Sequence, residues 1–385
     1  MRIMWLSNAP WAATGYGNQT RVFVPRIKEL GHEIAITAFY GLDGGVINWN
    51  GIPVFPKGIH PYGQDVVRAH AQAFGADVII SLVDVWVCNP AMIAPMPWVA
   101  WFPIDSDPVS PAIIARATGK RLMFSRHSCK MLDSAGLDYD YIPHGVETDI
   151  FRPMDMSEAR AKLRESRLPI PNDAFLVSMV AANKGNPSRK AFDSQFAGFA
   201  QFAKRHKGAI LYVHSTKAEN GENQGVNLPQ LAEYHGLEIG KNILFVDQYQ
   251  NLLGCDNAYM QAVYAGADVS LMATMGEGFG IPIVEAQACG CPVIVGDWTA
   301  NAELCFGGWK IDKSESVPMW TALGTYQYHV KPEAVASALE KAYRAKGNKD
   351  YRRSARAGAL NYDADKITRE YWQPYLERLA AELKA

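Results

Sequence analysis

The run Gly276-Glu277-Gly278-Phe279-Gly280-Ile281-Pro282-Ile283-Val284-Glu285-Ala286 concentrates residue types that bind anions and hydroxyls. Its glycines fall just after an apolar stretch ending at Met272 and just before a helical one. A turn so placed directs backbone N–H groups and the positive end of a helix toward an anion. Pro282 suits the first helical turn, where a missing N–H costs nothing. Glu277 precedes the helix and Glu285 lies on its second turn, so the two carboxylates can reach one ligand at separate points along its length. A plain tight turn with one capping and one surface glutamate would need all these residue types to coincide by chance.

Three further clusters carry chemistry. Lys184-Gly185-Asn186-Pro187-Ser188-Arg189-Lys190 follows the apolar stretch Phe175–Ala181 and opens a predicted helix over Arg189–His206. Positive charge at a helix N-terminus is mildly unfavourable, so a merely solvated basic loop accounts poorly for the placement. Neutralising the charge that develops on a departing anion, without a metal, accounts for it better. Thr14-Gly15-Tyr16-Gly17-Asn18-Gln19-Thr20 resembles the dinucleotide fingerprint in part. Thr20 stands where the third glycine would be, and no acid lies about 20 residues on at the end of the second strand, Asp43 being the nearest to that place, so no nicotinamide or flavin site is expected; a simple strand–helix turn is the alternative. Trp101-Phe102-Pro103-Ile104-Asp105-Ser106-Asp107-Pro108 contains D-x-D, but Asp138-Tyr139-Asp140 does too, and chance suffices. No metal requirement is expected.

The elements that must position these residues alternate. The first half reads as strands over Arg2–Leu6, Glu33–Phe39, Ile52–Phe55, Asp77–Val83, Trp98–Phe102, Arg121–Ser125 and Asp138–Ile142. Helices fit Asn18–Leu30 (with Pro25 as an expected kink), Gln64–Phe74 and His127–Ser134. The second half repeats the pattern, with strands over Phe175–Ala181, Ala209–Val213, Asn242–Val246, Asp268–Met272 and Pro292–Val295. Its helices fit Arg189–His206, Asn257–Ala265, Ile281–Cys289, Pro332–Ala345 and Asp365–Leu383. Apolar strand runs alternating with helices imply parallel, doubly wound α/β sheets. Two such sheets facing each other would place ligands in a cleft at their carboxyl ends.

With 385 residues, two domains are expected. The expected division is an N-terminal domain 1–152, a linker 153–172 around Pro153, Pro169 and Pro171, and a C-terminal domain 173–361, with 362–385 returning to the first. A hydrophobic fraction of 48% supports two cores and excludes global disorder. Thirty-eight basic against thirty-nine acidic residues leave a net charge of −1, which argues against a wholly nucleic-acid-binding surface. No stretch of about 18 apolar residues predicts a membrane span, and the N-terminus reads as a strand rather than a signal peptide. Six cysteines without a C-x-x-C pair read as reduced thiols in a cytoplasmic protein. A basic stretch, Lys341 to Arg356, reads as a solvated helical face, with contact to DNA or an anionic membrane as the minority alternative. Trp11, Tyr16, Trp49, Trp86 and Trp98 could stack on a sugar or base, or simply fill the core.

The segment Gly276–Ala286 resembles the E-x7-E signature of retaining glycosyltransferases of the GT-B fold, in the large family numbered four. Ile142-Pro143-His144-Gly145-Val146-Glu147-Thr148-Asp149-Ile150-Phe151-Arg152-Pro153 is similar to that family's interdomain segment. The resemblance implies a UDP-sugar donor, with GDP as the second choice, and no cofactor. It assigns Glu277 to the donor sugar, Glu285 to the ribose, and the backbone of Gly278, Phe279, Gly280 and Ile281 to the sugar and diphosphate. It matches Arg189 and Lys190 to the family's diphosphate-gripping pair, Lys184 to a further basic position, and Gly15 and Gly17 to a loop bordering donor phosphate and acceptor. Many members carry a His near the fourth cluster; here Asp105 is the nearest candidate. Front-face attack is implied, with the donor phosphate helping to remove the acceptor proton and no protein nucleophile. The acceptor, whether glycan, small molecule or hydroxylated DNA base, is left open. A nucleotide-sugar epimerase or phosphorylase, or a non-catalytic nucleotide-sugar-binding module, is the alternative.

Overall fold

The computed structural model describes residues 1–218 and 225–384; Ala385 and residues 219–224 of the expected C-terminal domain lie outside them. Contacts divide the chain into two compact units. One comprises residues 1–147, 322–325 and 362–385, the other residues 148–321 and 326–361.

The first unit is built on eight strands: β1 (Arg2–Asn8), β2 (Glu33–Tyr40), β3 (Ile47–Trp49), β4 (Ile52–Phe55), β5 (Val78–Leu82), β6 (Trp98–Phe102), β7 (Lys120–Met123) and β8 (Asp140–Tyr141). Their order is β3-β4-β2-β1-β5-β6-β7-β8. All pairings are parallel except the short β3–β4 edge. β5 and β6 are buried at every residue, as strands covered on both faces must be. Thr14 caps the helix Gly15–Glu29, its hydroxyl accepting the Gly17 N–H at 3.0 Å. A Cβ on Gly17 would lie 2.3 Å from the Ala12 carbonyl oxygen, so only glycine lets this turn close. The helix runs through Pro25 without a break.

The C-terminal segment packs in this unit through Trp372, which is fully buried against Trp5, Phe23 and Trp101. It is less regular than one helix: Ala364–Ile367 leads into a π-helical turn, Thr368–Trp372, and then the helix Gln373–Glu382. Pro374 cannot donate a backbone hydrogen bond to the preceding turn, which accounts for the widening there.

The second unit has a six-stranded, wholly parallel sheet: β9 (Phe175–Val180), β10 (Ala209–His214), β11 (Ile243–Phe245), β12 (Val269–Met272), β13 (Val293–Gly296) and β14 (Gly308–Ile311). The order is β11-β10-β9-β12-β13-β14. An antiparallel pair, β15 (Ser316–Trp320) and β16 (Tyr326–Val330), follows; neither it nor β14 is evident in the sequence pattern. Residues 153–172, expected as a linker, and 148–152, expected in the N-terminal domain, belong to this unit, and Arg160 packs the segment into it. Its guanidinium, 1% exposed, pairs with Asp268 at 2.8 Å and donates to the carbonyls of Gly266, Asn172 and Ala174. None of the six cysteines is in a disulfide, and four of them are buried.

Each parallel sheet reverses its strand order once: between β1 and β5 in the first unit, and between β9 and β12 in the second. Doubly wound folds bind ligands at the carboxyl ends of the strands flanking that reversal. The loops leaving β1, β9 and β12 carry Gly15 and Gly17, Arg189 and Lys190, and Glu277, respectively.

Candidate active site

In the second unit the loops leaving β9 and β12 are bound together. The Met275 N–H donates to the Arg189 carbonyl at 2.8 Å. Gln195, fully buried, donates to the Lys190 carbonyl at 2.6 Å and accepts the Ala273 N–H at 3.0 Å. Held this way, the two basic side chains converge on one carboxylate. Arg189 Nη1 meets Glu277 Oε2 at 3.0 Å, and Lys190 Nζ meets Oε1 at 2.5 Å; Arg189 also donates to the Gly276 carbonyl. Glu277 is 8% exposed. Burial pushes its carboxyl pKa up, but Arg189 and then Lys190 outweigh burial and hold it at about 2.

The helix expected from Arg189 begins at Phe192 instead. Ala191, at φ +49°, takes the cap position, so the basic pair sits on the turn before the helix and not on its first turn. Lys184 is exposed earlier on the same loop.

Gly280 precedes the helix Ile281–Ala288 at φ +115°, a conformation L side chains rarely adopt, and no side chain caps that helix. Gly278 and Phe279 are buried in the turn, and Ile281 opens the helix. Glu285, 7% exposed, lies one turn further on and accepts from the Tyr264 hydroxyl at 2.9 Å. Burial, then the Glu285 carboxylate, raises the Tyr264 pKa well above its ordinary range, so the phenol remains a donor.

The loop leaving β13 clamps the Glu277 turn from the other side. The Thr299 hydroxyl accepts the Glu277 N–H at 3.0 Å, and Ala300 N–H donates to the Glu277 carbonyl at 3.3 Å. Trp298 Nε1 donates to the Thr274 carbonyl and Asn301 Nδ2 to the Thr274 hydroxyl, at 2.9 and 3.2 Å.

In the first unit Gly15 and Gly17 lie on the first turn of the helix after β1, and Asp105 follows β6, half-buried. Sequence reasoning missed two neighbours there. The Tyr16 hydroxyl donates to Asp84, on the loop after β5, at 3.0 Å. His127 Nε2 lies 3.0 Å from the Ser106 carbonyl. Burial lowers the His127 pKa more than the Ser106 carbonyl, Asp107 and Asp105 raise it, so a histidine does stand beside the Asp105 loop, supplied from the helix after β7. Asp140 of the other D-x-D pairs with Arg378 at 2.9 Å. Among the described residues no cluster of three or more His, Cys, Asp or Glu is placed to hold a metal ion.

Comparison with solved structures decides the architecture. Sucrose-phosphate synthase from Thermosynechococcus elongatus superposes with a TM-score of 0.76 over 99% of this chain and 100% of that one, at 16% identity. Anabaena HepE in complex with UDP and glucose superposes at 0.67 over 99% and 100%, also at 16% identity. The fold is GT-B. Within this GT-B chain, residues 184–341 match the family model described as Glycosyl transferases group 1. That stretch contains Arg189, Lys190, Glu277, Glu285 and Thr299. Among curated proteins, D-inositol 3-phosphate glycosyltransferase of Segniliparus rotundus is 28% identical over 40% of this chain and 31% of its own length. That of Salinispora tropica is 25% identical over 63% and 46%. The matches thus span less than half the length of these relatives.

The pH dependence of stability tests the Glu277 geometry. A carboxyl moved from 4.5 to about 2 on folding contributes at most about 3 kcal/mol. Because the folded pKa is the lower one, the contribution is complete above pH 4.5 and is lost as pH falls toward 2. Urea melts of Glu277→Gln and wild type should therefore differ at pH 6 and converge near pH 2. A difference independent of pH would refute the ion-pair origin.

Proposed function

We propose that the chain transfers a sugar from a nucleoside diphosphate sugar, UDP-linked by preference, to a hydroxyl acceptor with retention of anomeric configuration. One observation carries the reading: an ionised Glu277 sits between Arg189 and Lys190 at the strand-order reversal of the sheet, on a glycine turn that opens a helix. The likeness to a UDP-bound structure and the group 1 match support it.

In this scheme Arg189 and Lys190 take the diphosphate and neutralise the charge that grows as the glycosidic bond breaks. The backbone of Gly278, Phe279, Gly280 and Ile281, at the uncapped start of the helix Ile281–Ala288, lies along the sugar and diphosphate. Glu277 accepts from hydroxyls of the sugar, and Glu285, oriented by Tyr264, accepts from the ribose. Lys184 provides a further positive charge near the diphosphate. The loop bearing Gly15 and Gly17, together with Asp105, serves the donor phosphate and acceptor side. The donor-binding domain is the second unit and the acceptor-binding domain the first. No metal ion or cofactor is needed, because two cations and a helix terminus supply the electrostatics. The reaction takes place in the cytoplasm; no helix among the described residues is long and apolar enough to cross a membrane.

A thermal-shift screen of nucleotides and nucleotide sugars is the direct test. A donor present at 100 times its Kd stabilises by about 2.7 kcal/mol, so UDP and one UDP-sugar should raise the melting temperature by several degrees. If no nucleoside diphosphate or nucleotide sugar shifts it, the reading fails. A sharper expectation concerns Glu285→Gln. Loss of a charge-assisted hydrogen bond costs about 1.5–3 kcal/mol, so calorimetry should show UDP binding weakened roughly 10- to 100-fold. Unchanged UDP affinity would remove Glu285 from the ribose.

A further inference from the structure

Among the described residues only four non-glycine residues have positive φ: Asn50, Arg167, Ala191 and Thr299. Asn takes this conformation with little penalty; a β-branched residue does not. Thr299, at φ +49°, is therefore the true outlier, and it is 7% exposed, within the loop that grips Glu277. Ala191, immediately after Lys190, is a second such residue at the same cluster. Unfavourable backbone conformations persist only where the surroundings over-determine them, and they gather at functional sites.

The contacts show what holds Thr299 there. Glycine would occupy this φ without strain but would bring no hydroxyl. The threonine hydroxyl is the acceptor for the Glu277 N–H at 3.0 Å, and the next residue returns a bond to the Glu277 carbonyl. Trp298 and Asn301, on either side, anchor the same loop to Thr274. Both backbone polar groups of Glu277 are thus fixed by residues 299 and 300, and from that anchored main chain its carboxylate reaches between Arg189 and Lys190.

We infer that Thr299 is the positioning residue for Glu277, its strained backbone retained because its hydroxyl fixes the Glu277 main chain and hence the carboxylate. This rests on Glu277 being the sugar-contacting group of the proposed reaction, yet it has a readout independent of activity. The test compares Thr299→Ser, which keeps the hydroxyl, with Thr299→Gly, which relieves the strain and removes the acceptor. Thr299→Val is a third variant that removes the acceptor while keeping the shape. In each, the Glu277 carboxyl is titrated by carbon-13 NMR, assigned with Glu277→Gln, and the melting temperature is recorded. Thr299→Gly should melt at or above the wild-type temperature while its Glu277 carboxyl titrates at least one pH unit higher; Thr299→Ser should titrate as wild type. A Glu277 titration in Thr299→Gly identical to wild type overturns the inference, whatever Thr299→Val does.

Kinetics with UDP-glucose, or the UDP-sugar that the thermal-shift screen selects, give the second readout. Thr299→Gly should lose at least tenfold in kcat with KM within twofold, and Thr299→Ser should restore it. A kcat in Thr299→Gly equal to wild type also overturns the inference. If wild type neither binds UDP nor turns over any nucleotide sugar, the proposed function is what fails, and the Glu277 titration alone decides the role of Thr299.

Discussion

The double variant Arg189→Ala/Lys190→Ala is expected to transfer sugar roughly a thousandfold more slowly than wild type, or worse, since removing even one preorganised charge-stabilising donor costs about 10²–10³ in kcat. Two effects combine. The departing diphosphate loses both cations that would neutralise it. Glu277 loses both charges that hold its carboxyl at about 2, and burial, now unopposed, pushes it upward. The sign is definite: the acid limb of the pH–rate profile should move to higher pH, so part of the lost rate returns as pH is raised and Glu277 ionises. The remainder, belonging to the leaving group, should not return. Single variants should separate the two, because Lys190 is the more buried cation, 18% against 34% exposed, and makes the shorter contact. Initial-rate measurements from pH 5 to 9 are the check. A double variant working at the wild-type rate, or losing rate without any shift of its acid limb, would contradict these assignments.

How much of this was legible in the sequence depended on how local the cause was. The Gly276–Ala286 turn could be read directly, because glycine, proline and glutamate at those spacings announce a strand–turn–helix by themselves. The parallel strands were legible for the same reason, as apolar runs bounded by turn residues. The basic pair was placed beyond the right strand, but its helix was started three residues early: the left-handed conformation of Ala191 arises from tertiary bonds, not from anything in Ser188-Arg189-Lys190-Ala191. Thr299 and Tyr264 were invisible, because each acts on a glutamate 22 or 21 residues away and neither residue type signals that task. β15 was missed because Pro318 interrupts a short, mostly exposed run, which reads as non-strand.

The basic stretch Lys341–Arg356 illustrates the same limit. Read alone, it suggested a solvated face or a polyanion site. In the fold, Arg352 donates to the carbonyls of Gly290 and Ala267, and Arg356 to those of Ala288, Thr148 and Phe151. Lys346 reaches the carbonyls of Asp173 and Ala174. Ala267 and Ala288 close the helices Asn257–Gly266 and Ile281–Ala288, where unsatisfied carbonyls and the negative helix end favour a cation. Arg344 and Arg353 pair with Glu340 and Asp350 on the helices that carry them. Three of its seven cations, Lys346, Arg352 and Arg356, therefore satisfy backbone acceptors within the second unit, and Lys341, Arg344, Lys349 and Arg353 form the exposed face that the sequence suggested.

Glu277→Ala is expected to abolish transfer, by roughly a thousandfold or more, while leaving UDP binding intact or tighter, a separation that follows from charge. In the free protein Glu277 occupies both cations, so a diphosphate must share Arg189 and Lys190 with a carboxylate already bound to them. Removing the carboxylate frees two positive charges for the phosphates, and UDP, which lacks the sugar, has no use for Glu277. The sugar does, because an ionised carboxylate is the strong acceptor that its hydroxyls would meet at this site. The cost should appear in stability: two partly buried cations lose their partner, worth about 1–2 kcal/mol once the partial exposure of Arg189 and its screening by solvent are allowed for. Glu277→Gln keeps the shape but turns an amide N–H toward one of the cations, so it should be as inactive as Glu277→Ala and no more stable. Calorimetric titration with UDP beside single-turnover transfer measures both arms. Loss of UDP binding in parallel with transfer would place Glu277 on the nucleotide rather than the sugar, and transfer within tenfold of wild type would take it out of the reaction altogether.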